Sequence, residues 1–271
     1  MLSVNTNTGA MAALQYLSNT AASLNQTENR VTSGMKVASA KDNGAVFAIA
    51  QNMRGNVAGY SSVTDSLNRG SSVVDTAMSA AQSISDLLIQ MKQNALSAAD
   101  SSLDTTSRTQ LANDFSAMVQ QISTIVKNAS FNSINLIDGS VTNVQALASA
   151  SDASQRITVG AQKLDTTTLG VTTAYTSQTT ASTMVGSIST ALGTVNSAMS
   201  TLSAGAKKFS IQNSFVSKLS DSLNTGIGNL VDANMAEESA KLTSLQTKQQ
   251  LGVQALSIAN QSPQIILSLF Q

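Results

Sequence analysis

LQYLSNTAASLNQTENRVTSGM, residues 14–35, decides the fold. Leu14, Leu17, Ala21, Leu24, Glu28, Val31 and Met35 follow one another at alternating steps of three and four. That is the heptad spacing of a coiled-coil seam. Near the other end of the chain, Val231, Met235, Glu238, Leu242, Leu245, Gln249, Gly252, Leu256 and Ala259 repeat the pattern. Two helices with matching seams at opposite ends of one chain are expected to pair and bring the termini together. Ala, Gly, Glu and Gln occupy many seam positions, so both stripes are weak. A polar seam residue lowers stability but fixes register and partner number. Of the neighbours Glu237 and Glu238, one is expected in solvent and the other on the seam.

Between these ends, Gly34 is placed to close the first helix in a left-handed conformation. A second helix starts near SAKDNG, residues 39–44, with Ser39 and Asp42 in a capping pattern and Asn43 as the alternative cap. Its pattern runs from about Ala45 to Ala99, with Val63, Leu67, Val74, Met78, Ala81, Ile84, Leu88 and Met91 on the inner face. At 1.5 Å per residue such a helix is a rod of about 80 Å, a length that suits a bundle or fibre. Leu111, Phe115, Met118, Ile122 and Ile125 mark a third helix. RITVG, residues 156–160, alternates like a strand, with KLDTTTLGV as its partner or a loop beside it. Helix resumes near Ser182 and continues to the tail, which Pro263 is expected to break. The fold class expected is mainly α: a long-helix coiled coil and helical bundle with a small β hairpin insert near residues 140–180.

Composition excludes much chemistry. The 271 residues include no cysteine and no histidine, which removes thiol catalysis, Ser-His-Asp triads and zinc sites built on those residues. Charged residues are 11% and balance to zero, which argues against electrostatic attraction to nucleic acid or an anionic membrane. No Gly-rich loop has phosphate-binding spacing, and GIGNL, residues 226–230, reads as helix packing. No cofactor, metal or catalytic residue is expected, and the chain is not expected to be an enzyme. No apolar run reaches membrane-spanning length, and the N-terminal stretch, with no basic start and no long apolar run, is not expected to act as a Sec signal peptide. NQT, residues 25–27, matches a glycosylation acceptor by chance, since it lies on a seam-bearing helix. The polar stretch TTAYTSQTTAS is different. Thr172, Thr173, Thr176, Ser177, Thr179 and Thr180 are candidate acceptors for O-linked sugar, with a plain solvated loop as the alternative.

Residues 4–54, from VNTNTGAMAALQYL to IAQNMR, strongly resemble the start of bacterial flagellins, and LVDANMAEESAKLTSLQTKQQLGVQALSIANQSPQIILSLF, residues 230–270, resembles their end. SFNSINLIDG resembles the segment that closes the third helix of that family, with Ser133 where glycine is usual. RITVGAQKLDTTTLGV resembles the short β element that follows. The resemblance implies a short, core-only flagellin. Residues 1–42 and 226–271 would form an inner terminal coiled-coil domain, and residues 43–225 a helical-bundle domain carrying the β insert. It implies self-assembly into the flagellar filament, secretion in unfolded form through the flagellar type III system, and termini that order on assembly.

The implied partners are further copies of the chain, an export chaperone, and hook-associated junction and cap proteins, with no nucleic acid or membrane. The implied assembly seams are Leu14, Leu17, Leu24, Val31 and Met35 at the start, and Val231, Met235, Leu242, Leu245, Leu256, Ile265, Ile266, Leu267, Leu269 and Phe270 at the end. Some flagellins present a patch resembling QRVRELAVQ to an animal Toll-like receptor. Here Lys92, Gln93 and Asn94 diverge from it, which implies weak or absent activation. A hook–filament junction protein is the alternative function. A coiled-coil adhesin explains the heptads but not the SAKDNG break, and a protease insert would need histidine.

Overall fold

A computed structural model describes the backbone of residues 6–268 and the side chains of residues 6–261. Five helices and two small ribbons follow in the order α1 Thr8–Ser33, α2 Gly44–Ala98, α3 Thr105–Asn128, β1 Ser130–Phe131, β2 Ile134–Asn135, β3 Asn143–Leu147, β4 Arg156–Gly160, α4 Gln178–Val231 and α5 Met235–Ser268. The chain divides into two compact units, residues 1–55 with 222–271 and residues 56–221. Both divisions fall inside helices, α2 and α4.

Helix ends follow local chemistry. Gly34 closes α1 with φ 70°. Asn43, rather than Ser39, caps α2, accepting from the Val46 amide at 3.1 Å. Asp42 instead ties its own loop, accepting from the Ser39 amide and hydroxyl at 2.9 and 3.0 Å. Asp104 caps α3 through the Ser107 amide at 2.7 Å. That bond holds the Asp104 carboxyl below the usual carboxylate range. Arg108 closes the turn between α2 and α3, donating to the carbonyls of Ala98, Asp100 and Leu103 at 2.9, 2.9 and 3.1 Å.

In the unit of residues 56–221, α2, α3 and α4 share one apolar core. Val63, Leu67, Val74, Ala81, Ile84, Leu88 and Met91 are buried as their spacing predicts, and Met78 is half-buried. Phe115 and Ile122 face them from α3, and Ile188, Val195, Leu202 and Phe209 from α4. The partner of RITVG is not KLDTTTLGV but β3, which pairs antiparallel with β4 in the register Val144↔Val159 and Ala146↔Ile157. KLDTTTLGV is a loop whose Leu164 and Leu169 are buried. The β hairpin lies close on α4: a Cβ at Gly205 would sit 2.5 Å from Val159 Cγ1. Glycine is therefore needed there for close approach, not for a turn.

The β1–β2 ribbon turns through Asn132 and Ser133, whose φ values are 49° and 64°. Two positive φ values are what a type I′ hairpin turn requires, and Asn-Gly serves it best. Ser133 adopts this conformation against its preference. Ser133→Gly is expected to raise the unfolding free energy of this unit by about 0.5–1 kcal/mol, offset in part by a more flexible unfolded chain. Urea unfolding of the two proteins checks this. Asn135 anchors the ribbon from a buried position, donating to the Val126 carbonyl at 2.7 Å and accepting from the Ile137 amide at 2.9 Å.

One expectation about the tail is corrected. Helix α5 does not end at Pro263 but extends to Ser268. A proline inside a helix removes one rung by lacking an N–H, and need not end the helix if the freed carbonyl finds another donor. That carbonyl belongs to Ala259, and it accepts from Asn7 Nδ2 at 2.7 Å.

Candidate assembly surface

Helices α1 and α5 pack against each other within the unit that holds both termini. Their contacts advance in opposite directions, so the pair is antiparallel: Asn7 meets Ala259, Leu17 meets Gly252, Arg30 meets Glu238, and Gly34 meets Ala233. A backbone clasp joins the inner ends. Lys36 and Val37 both donate to the Val231 carbonyl, at 2.6 and 3.2 Å, and the Ala233 amide donates to the Gly34 carbonyl at 2.9 Å. Asn234 then caps α5 through the Ala236 amide at 3.2 Å.

The C-terminal seam, from the end of α4 along α5, is largely turned inward. Val231, Glu238 and Leu245 are buried, and Leu242, Gln249, Gly252, Leu256 and Ala259 are half-buried. Met235 departs, at 43% exposed. On α1 the seam is rotated from expectation. Leu24 is buried and Leu17, Ala21, Val31 and Met35 are half-buried, but Leu14 is 57% exposed and Glu28 lies outside. Ala13, Thr20, Thr27 and Arg30 turn inward beside the remaining seam residues. Of the NQT stretch, Thr27 is buried while Asn25 is exposed.

Glu237 is exposed while Glu238 is buried and paired, its Oε1 3.0 Å from an Arg30 terminal nitrogen. Arg30 sits in the last turn of α1 and Glu238 in the first turn of α5, so each charge also opposes its helix dipole. Among the described residues, Arg30 Nε and Glu238 Oε2 have no hydrogen-bond partner. The side chains of Ile265, Ile266 and Leu267, and the whole of Leu269 and Phe270, lie outside the described residues.

The outer faces of the pair stay apolar. Met11, Leu14 and Tyr16 on α1, and Leu251, Val253 and Ile258 on α5, are largely exposed, Tyr16 at 74% and Ile258 at 69%. Apolar groups of this size on both helices of a narrow pair mark a contact surface. Sequence reasoning missed Asn7, Thr27 and Arg30. Asn7 was findable as an Asn directly before the helix, whereas Thr27 and Arg30 carry no apolar signal.

The remaining candidates lie elsewhere. On α2, Lys92 and Asn94 are half-buried and Gln93 is exposed. Asn94 accepts the hydroxyl of Tyr175. Tyr175 is buried edge-on against Phe115, with ring centroids 5.4 Å apart and planes at 62°. Burial, with the nearby Asp114 charge, pushes its phenol up to about 12. The folded state thus prefers the protonated phenol. This contribution to stability is complete below the ordinary tyrosine value near 10 and is lost as pH rises through about 12. Tyr175→Phe is expected to remove that alkaline component, read from denaturant midpoints between about pH 9 and 12.

Thr172, Thr173, Thr176, Ser177, Thr179 and Thr180 are all exposed. Ser177 and Thr180 cap α4 reciprocally, with the Ser177 amide donating to Thr180 Oγ1 at 2.9 Å and the Thr180 amide donating to Ser177 Oγ at 3.3 Å. Among the described residues no group of His, Cys, Asp and Glu is placed to hold a metal ion, and no helix is long and apolar enough to cross a membrane.

Comparison with known proteins agrees with this architecture. Residues 4–142 match the bacterial flagellin N-terminal helical region and residues 185–270 the bacterial flagellin C-terminal helical region. The chain is 48% identical over 271 residues to flagellin FljK of Caulobacter vibrioides, covering 99% of this chain and 98% of that protein. It is 37% identical to a flagellin of Brucella melitensis, covering 100% of both. The crystal structure of Bacillus cereus flagellin matches 65% of this chain and 93% of its own, at 22% identity and a TM-score of 0.41.

Proposed function

The chain belongs to the bacterial flagellin family, and from that premise we propose how its parts serve the filament. It is a structural subunit of the bacterial flagellar filament, a helical homopolymer that drives swimming, and not an enzyme. End-to-end similarity to flagellins does not favour a hook–filament junction protein.

Residues 1–42 and 226–271 act as the inner terminal domain and residues 43–225 as the surrounding bundle. Leu14, Met235 and the apolar tail Ile265, Ile266, Leu267, Leu269 and Phe270 contact neighbouring copies. An export chaperone covers that tail before assembly, and the unfolded chain leaves through the flagellar type III apparatus to reach the filament outside the cell. Hook-associated junction and cap proteins bound the polymer at its two ends. Lys92, Gln93 and Asn94 do not rebuild the receptor patch. Thr172, Thr173, Thr176 and Thr179 are better sugar acceptors than Ser177 and Thr180, whose hydroxyls are engaged in capping.

The observation that carries this reading is the exposed apolar surface on both helices of the terminal pair. Electron microscopy of the purified chain with sulfate and short filament seeds tests it, since sulfate strengthens apolar burial. Long helical filaments that are lost when residues 264–271 are deleted support the reading. Persistent monomers, or filaments indifferent to the deletion, contradict it.

A further inference from the structure

The apolar seam between α1 and α5 does not by itself choose a register. Its residues recur at steps of three and four on both helices, and leucine recurs at many of them. Sliding one helix by a step sets similar residues against similar residues. Directional polar contacts at the ends of the pair discriminate better. At the inner end that contact is Arg30 with Glu238. At the outer end it is Asn7 with the carbonyl of Ala259.

Asn7 does two things with one amide. Its Oδ1 accepts from the Ala10 amide at 3.0 Å and caps α1. Its Nδ2 donates to the Ala259 carbonyl at 2.7 Å. Ala259 is the residue four before Pro263, the single proline of the chain. In an uninterrupted helix its carbonyl would take the N–H of residue 263. Proline has none, so the carbonyl is free by covalent structure. Neighbouring carbonyls differ: those of Ala255 and Leu256 face the N–H groups of Ala259 and Asn260 one turn on.

We propose that Asn7 is a positioning residue for filament assembly: its amide supplies the donor that Pro263 lacks, and so seats the end of α5 on the start of α1 in one register. This rests on the filament function stated above. A slip of three or four residues would leave the Ala259 carbonyl unpaired and offer Asn7 an acceptor already in use. Asparagine suits the place because it carries both the acceptor for the cap and a donor that reaches across. Aspartate and serine also cap helices. Aspartate turns an acceptor toward the carbonyl, and serine is too short to span the gap while capping.

The test is the concentration of subunit left soluble at steady state in seeded, sulfate-driven polymerisation of the full chain. Growth of the wild-type protein in this assay establishes the filament reading, so its failure is distinct from failure of the inference. Asn7→Asp and Asn7→Ser are each expected to raise the soluble concentration about fivefold, the range for one unmade hydrogen bond. The same substitutions beside Pro263→Ala, which restores a backbone donor, are expected to change it less than about twofold relative to Pro263→Ala alone. Recovery of assembly in the Pro263→Ala background also supports the inference if the single variants do not polymerise. An equal factor in both backgrounds, no effect in either, or failure to assemble in both overturns it, because Asn7 would then act as a cap alone or not at all.

Discussion

Phe115→Ala is expected to lower the unfolding free energy of the residue 56–221 unit by about 3–5 kcal/mol, the range for removing a fully buried aromatic ring. Phe115 has no exposed surface and lies in the core shared by α2, α3 and α4. Its ring also supports the edge-on ring of Tyr175, which carries the loop before α4 and hydrogen-bonds Asn94 on α2. Truncation leaves a cavity and frees a second aromatic residue to shift into it. The double variant Phe115→Ala/Tyr175→Ala is accordingly expected to cost less than the sum of its parts, because each loss includes the contact between them. Denaturant unfolding at neutral pH measures both terms. A loss below about 1 kcal/mol for Phe115→Ala would contradict the packing.

Arg30→Ala is expected to weaken the α1–α5 pair by about 2–3 kcal/mol, below the range for fully buried ion pairs because the Arg30 side chain is 21% exposed. The loss exceeds that of a surface ion pair because Glu238 would be left buried without its cation. Soluble subunit in the polymerisation assay should rise at least about tenfold. The control is the double change Arg30→Met/Glu238→Leu. Replacing a buried ion pair by apolar residues of similar size is often neutral, so assembly is expected to return close to wild type. If Arg30→Ala alone leaves assembly unchanged, the pair contributes little and register rests on the outer end.

The two units differ in how much of them is legible in the sequence. The long bundle helices could be read almost residue by residue, from Val63 to Met91, because strong apolar residues at helical spacing face one large core. The caps were legible where a residue acts on its own stretch of chain, Gly34 through its left-handed backbone and Asn43 through its side-chain oxygen. The β hairpin was half legible. RITVG shows its alternation, but its partner β3 reads NVQAL, with too short and mixed a pattern to announce a strand. Only pairing with β4, and the close approach of Ala146 to Gly70 on α2, selects that conformation.

The sequence by itself determined that two weak seams at opposite ends of this chain belong together, that long helices and a small β element lie between them, and that histidine and cysteine chemistry is absent. Tertiary structure decided which face of α1 meets α5, setting Leu14 outside and Thr27 and Arg30 inside. The reason is geometric. A repeat of 3.5 residues on a helix of 3.6 residues per turn drifts by about 20° per heptad, so the facing side chains are chosen by the partner's contour. The same holds at Pro263. Local chemistry alone predicts a helix end there, and only a donor from the far end of the chain, Asn7, gives the freed carbonyl of Ala259 its hydrogen bond.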